Sequence, residues 1–286
     1  MKLCGKGVII TGANRGLGKE IARACVAEGA NVLLCAREGA LLEQTRTELR
    51  GIATAGQHVL SQTCDVSRTE DVRELIWRAE RGLERIDGLV NNAAVLGPKG
   101  LVENAEWTDW VRTIEINLLG TVLLCRALLP LFRRQRYGKI VNLSGGGATA
   151  PRPRFSAYAV SKAAVVRFTE TLAQETRGTG IDVNAVAPGA LNTRLLDEVV
   201  AAGPEKAGSE YERALKQKQG GGESLERAAK LCVFLLSSDS DGISGKLVSA
   251  VWDPWPTLAE RRLELNQTDI YTLRRIVPED RGHKWN

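Results

Sequence analysis

The chain has 286 residues, 43% hydrophobic and 26% charged, close to globular averages, which excludes a disordered or fibrous polymer. A net charge of +5 spread over this length is too thin for a nucleic-acid surface, and Arg133-Arg134-Gln135-Arg136 reads as a solvated helix end. Six scattered cysteines suit reduced, buried thiols, and two histidines, His58 and His283, offer neither a zinc set nor a Ser-His-Asp constellation.

The N-terminus enters a strand pattern at once, leaving no room for a signal peptide, and no apolar run of bilayer length is expected. The sequence therefore predicts a cytoplasmic protein with no nucleic-acid, membrane or metal partner.

Short β-branched runs alternate with longer amphipathic segments. In chain order the pattern predicts a strand over 7–10, a helix over 16–28, a strand over 31–34 and a helix from about 41 to 49. A strand ending at Cys64 and a helix from about 69 to 81 come next. Strands over 87–90, 139–142 and 181–185 follow, with helical patterns from about 105 to 136 and from 156 to 177. This alternation predicts an α/β fold: a doubly wound parallel sheet of about seven strands with helices on both faces. Ligands of such sheets bind beyond the carboxyl ends of the strands.

Residues 194–222 are polar and rich in glycine, ending in Gly220-Gly221-Gly222, and read as a substrate loop. A helix from about 224 to 236 and a strand near 246–248 close the sheet, making 1–250 one domain. Residues 251–286, with Trp252 and Trp255, form a C-terminal extension expected to pack on the domain, wall the pocket or cover a partner subunit.

Thr11-Gly12-Ala13-Asn14-Arg15-Gly16-Leu17-Gly18 joins the first strand to the first helix. Glycines there let the backbone approach a pyrophosphate, and the helix N-terminus offers free N–H groups and a positive dipole end. The second strand ends in Cys35-Ala36-Arg37, without the acid that holds a ribose 2′-hydroxyl. Arg15 and Arg37 aimed at one 2′-phosphate favour NADP(H), while Glu38 nearby leaves NAD(H) open.

Further motifs follow in order: Asp65-Val66, Asn91-Asn92-Ala93-Ala94, Asn117, Tyr158-Ala159-Val160-Ser161-Lys162, and Pro188-Gly189 with Leu191 and Thr193. With the glycine turn, they resemble a short-chain dehydrogenase/reductase of the 3-oxoacyl-carrier-protein reductase type, from about Lys6 to Leu247. The resemblance implies a Rossmann-type fold and assigns Asp65 to adenine, Asn92 and Ala93 to the cofactor wall, and Leu191 and Thr193 to the nicotinamide end. It also assigns Lys162 to the nicotinamide ribose and Asn117 to a water in a proton relay. Ala94 stands where glycine is usual, a difference expected to affect packing only.

Tyr158 and Lys162 are four apart on one helix and share a face. A free phenol titrates near ~10, and an ammonium within a few ångströms is expected to lower that value. Tyr158 can then protonate an alkoxide or deprotonate an alcohol.

The family's catalytic serine is missing: Gly145, not Ser144, falls at its place after the fifth strand. Either Ser144 substitutes through a turn in the Gly145-Gly146-Gly147 run, or backbone N–H groups of that run serve as oxyanion donors.

The expected activity is an NADP(H)-dependent interconversion of a ketone and a secondary alcohol by a homodimer or homotetramer. Cations in the 194–222 segment, among them Lys206, Arg213, Lys216 and Lys218, leave room for a phosphate-bearing substrate, though such mixed charge with Glu205 and Glu210 also suits a solvated helix. Two alternatives stand beside it: an enzyme that oxidises or epimerises a nucleotide-linked sugar, and a non-catalytic dinucleotide-binding regulator.

Overall fold

The computed structural model describes residues 1–285. Seven parallel strands are ordered β3-β2-β1-β4-β5-β6-β7. They span Gly7–Thr11 (β1), Asn31–Ala36 (β2), Val59–Thr63 (β3), Gly88–Asn91 (β4), Gly138–Leu143 (β5), Ile181–Ala187 (β6) and Leu247–Ser249 (β7). The central strands are buried on both faces, which is why they read as continuous apolar runs rather than as alternation. The strand order reverses between β1 and β4, and a crevice opens there beyond the carboxyl ends.

Helices cover both faces. On one side α1 (Gly16–Ala27) and α9 (Leu225–Leu236) pack together, with α2 (Gly39–Arg50) beside them. On the other lie α3 (Thr69–Gly82), α5 (Gly120–Gln135) and α6 (Ser156–Glu175). Five cysteines are buried, Cys4 is exposed, and all six are free thiols.

The helix expected from about 105 to 136 is present as α4 (Trp107–Ile114), a π-helical turn (Glu115–Leu119) and α5 run together, and two other expectations change. At 29 residues, Trp107–Gln135 is long and apolar enough to cross a bilayer by length and composition, contrary to the sequence reading. Part of its apolar surface serves the core, where Leu124, Leu128 and Phe132 bury against the sheet.

The expected loop over 194–222 is a helical hairpin: α7 (Arg194–Ala207), interrupted at Gly203, then α8 (Ser209–Gly220). Its apolar face is too sparse to show as periodicity, yet Val199, Ala207 and Ala214 bury against Leu96, Phe155 and Tyr158.

The C-terminal extension packs on its own chain. Leu258 and Leu265, the latter on α10 (Arg262–Gln267), enter the core beside α9. Lys246 Nζ donates to the carbonyls of Thr268 and Ile270, both at 2.9 Å.

Candidate active site

β1 delivers the chain into Gly12 at φ +62°, a conformation open to glycine. A Cβ at Gly12 would lie 2.9 Å from Asn92 Nδ2 and 3.0 Å from Ala93 Cα, and one at Gly18 would lie 2.2 Å from the Gly12 carbonyl oxygen. The turn is closed by Asn92, whose Nδ2 donates to the carbonyls of Thr11 and Gly12 at 2.9 and 3.2 Å. Backbone N–H groups of Asn92 and Ala93 donate to Thr11 Oγ1, each at 2.9 Å. Asn92 thus spends its side chain on shaping the turn. Helix α1 begins with no side-chain cap and no acid in its first turn, so its N-terminal N–H groups remain available to an anion.

This turn forms one end of a cleft of about 1260 Å³ beyond β1, β4, β5 and β6. Every site residue expected from the sequence lines it except Asn117. The residues present fit a dinucleotide: a backbone cradle that a Cβ would fill, an uncapped helix end, and a cleft that Tyr158 also lines.

At the far side of the turn both expected phosphate ligands face acids. Arg15 pairs with Glu38, so it is not the free cation the sequence implied. Burial pushes the Asp65 carboxyl up, but hydrogen bonds from Ser67, then Arg112 and Arg37, outweigh this and hold it below the usual range. Asp65 also pairs with Arg112 of α4. Local pairing of this kind, invisible in a linear reading, decides which guanidinium is free.

Helix α6 carries Tyr158 and Lys162 to the cleft, 7% and 3% exposed. Lys162 Nζ donates to the Leu143 carbonyl at 2.8 Å and sits 5.7 Å from the Tyr158 ring centroid. Burial pushes the Tyr158 phenol above its ordinary range, and the Arg152 guanidinium pulls it partly back. Burial lowers the Lys162 ammonium to about 8. The expectation that Lys162 lowers the phenol is therefore corrected: burial dominates, and the ammonium is tied to the end of β5.

Ser144 lines the cleft but is buried, and its Oγ has no hydrogen-bond partner among the described residues. A Cβ at Gly145, in contrast, would lie 2.5 Å from Tyr158 Oη. Position 145 is the one facing the phenol.

Asn117 sits in the π-helical turn, its Nδ2 donating to Val95 O and Ser161 Oγ and its Oδ1 accepting from Val95 N–H, all at 2.9 Å. Its side chain ties the loop after β4 to α6, leaving no amide proton for the relay water expected there.

Sequence reasoning missed Arg152. Its Nε donates to Glu210 Oε2 of α8 at 2.9 Å, and its guanidinium lies 4.5 Å from the Phe155 ring centroid and 5.5 Å from that of Tyr158. Nothing local signals this, because the partner carboxylate lies 58 residues away. Trp252 and Asp253 of the extension also line the cleft.

The short chain dehydrogenase family matches residues 6–203. The chain belongs to that family. As a short-chain dehydrogenase it is an oxidoreductase acting on CH–OH and carbonyl groups with NAD(P). It is 36% identical over 242 residues to L-fucose dehydrogenase of Oryctolagus cuniculus, covering 84% of this chain and 81% of the relative. It is 33% identical over 250 residues to a 3-oxoacyl-[acyl-carrier-protein] reductase of Thermotoga maritima, covering 87% and 97%. The solved structure of an NAD+-bound xylitol dehydrogenase superposes with a TM-score of 0.79 at 28% identity, covering 87% and 98%.

Proposed function

We propose that this short-chain dehydrogenase interconverts a ketone and a secondary alcohol with Tyr158 as general acid and base. The observation that carries the reading is the placement of Tyr158 and Lys162 on one face of α6, buried in the same cleft as the glycine turn. When bound, a nicotinamide dinucleotide supplies or accepts the hydride. Tyr158 Oη donates its proton to the nascent alkoxide in reduction and takes the alcohol proton in oxidation. Lys162, already held by Leu143 O, orients a ribose and keeps a cation near the phenol. Asn117 positions α6 against the loop after β4. The Ser144 hydroxyl, unpartnered at the cleft wall, becomes a donor to substrate only if the backbone at 144–145 turns.

NADP(H) is the cofactor this reading favours over NAD(H). Its support is Arg37, directly after β2, together with Arg15 in the same wall. The pair between Arg15 and Glu38 must open for both guanidinium groups to reach one phosphate. Exposed Trp107 and Leu119 along α4 and the π turn support a homo-oligomer.

Quenching of tryptophan fluorescence by NADPH and NADH tests the cofactor half of the proposal, with Trp252 in the cleft as reporter. A panel of cyclic ketones, 3-oxoacyl thioesters, free sugars and their alcohols tests the chemistry. Binding of a dinucleotide with turnover of at least one ketone–alcohol pair is the expected result. Absence of binding by either dinucleotide contradicts the proposal.

A further inference from the structure

Gly145 offers the substrate oxygen no side-chain hydroxyl, and Tyr158 packs into the place a side chain would take: a Cβ there would lie 2.5 Å from its Oη. A guanidinium stands beside the next residue, Gly146, and 5.5 Å from the Tyr158 ring centroid. Arg152 follows the glycine run and lines the cleft, and a Cβ on Gly146 would lie 3.7 Å from its Nη1.

The side chain is held from three directions. Glu210 accepts from Nε at 2.9 Å, and the rings of Phe155 and Tyr158 lie 4.5 and 5.5 Å from the guanidinium carbon. Only Nε is used, and neither Nη group has a hydrogen-bond partner among the described residues. With both rings buried and its own side chain 19% exposed, the guanidinium is held at the wall of the cleft.

We propose that Arg152 is a catalytic residue that replaces the missing serine, donating an Nη hydrogen bond to the substrate oxygen while Tyr158 moves the proton. The proposal rests on the reading of Tyr158 as proton donor. In reduction the carbonyl carbon gains the hydride, its oxygen takes the proton from Tyr158 Oη, and Arg152 stays protonated throughout. A preorganised cation aimed at developing negative charge is the kind of donor whose removal costs about a hundredfold or more in kcat. The same charge stabilises the phenolate, the direction in which Arg152 already acts on Tyr158. Charged groups around the phenol are Lys162 on its own helix, Arg152 on the preceding loop and Glu210 on α8.

The experiment compares Arg152→Gln, Arg152→Lys and wild type on the best substrate of the panel above, with dinucleotide affinity measured by fluorescence. Phenol titration of the cofactor-free protein, followed by tyrosinate absorbance against Tyr158→Phe, adds a readout independent of turnover. Expected for Arg152→Gln are a fall in kcat of about a hundredfold, unchanged dinucleotide affinity, and a Tyr158 titration moved to higher pH. Arg152→Lys, which keeps the charge but not the fork, loses kcat while its phenol titrates near the wild-type pH. It serves alone with guanidinium rescue of Arg152→Ala if the glutamine variant does not fold. A kcat within about twofold of wild type, a loss confined to KM, or an unmoved phenol overturns the proposal. Failure of the underlying reading looks different: Tyr158→Phe itself leaves turnover intact.

Discussion

Lys162 Nζ donates to the carbonyl of Leu143 at 2.8 Å, tying the ammonium to the last residue of β5. The phenol of Tyr158 and this ammonium are carried by the same helix, α6, in a largely buried site. Desolvation works against each charge, raising the phenol and lowering the ammonium to about 8. A bound anion near Lys162 would shift it back toward the charged form.

The lysine makes stability depend on pH in a defined direction. Its ordinary value is 10.5 and its folded value is about 8, so between these the unfolded chain binds more protons and stability rises with pH. Burying the ammonium costs on the order of 3 kcal/mol below about pH 8, and that cost vanishes above 10.5. Lys162→Met is therefore expected to be more stable than wild type at pH 7. Thermal melts of the two cofactor-free proteins should converge between pH 8 and 10.5. A gap that stays constant over that range contradicts the assignment.

Gly18 lies where the first turn of α1 meets the carbonyl of Gly12. With a Cβ only 2.2 Å from that oxygen and 2.5 Å from Asn92 Nδ2, Gly18→Ala must push the glycine turn off β4. The expected result is a loss of dinucleotide affinity of at least about tenfold and a lower Tm, from steric strain of about 1–3 kcal/mol. Wild-type affinity in this variant would show that the turn does not hold the dinucleotide.

Cofactor choice is testable at the end of β2. Arg37→Asp places a carboxylate where a ribose 2′-hydroxyl can be held and removes a cation from the 2′-phosphate site. The ratio of NADPH to NADH affinity should fall and invert. A ratio unchanged by this substitution would assign the phosphate preference elsewhere.

The extension contributes to stability through buried apolar contacts. Leu265 is 3% exposed in the core beside α9. Leu265→Ala should destabilise the protein by about 2–5 kcal/mol, read from denaturant unfolding. An effect below about 0.5 kcal/mol would mean that α10 is not part of the folded core.

Most of the sheet was legible because parallel strands buried on both faces leave continuous apolar runs, as at Val8-Ile9-Ile10 and Val32-Leu33-Leu34. The glycine turn was legible because its steric demands are local. Helices α7 and α8 were not, since few of their residues bury and glycine interrupts the pattern. The Trp107–Gln135 helix was legible nearly to its ends, and only the π-helical turn at Glu115–Leu119 within it was not. In the site, Tyr158 and Lys162 declared themselves by spacing, whereas Arg152 depends on Glu210 across 58 residues and on two rings meeting in space. The sign of the phenol's shift was misread for the same reason: burial and the pull of Leu143 on Lys162 are tertiary facts.

The central claim is that Tyr158 moves the proton that accompanies hydride transfer. Its most direct test is the turnover of Tyr158→Phe, saturated with dinucleotide, beside wild type on the same ketone. Removing one hydroxyl should lower kcat by about 10²–10⁴-fold with dinucleotide affinity retained. Equal turnover by the two proteins would contradict the account.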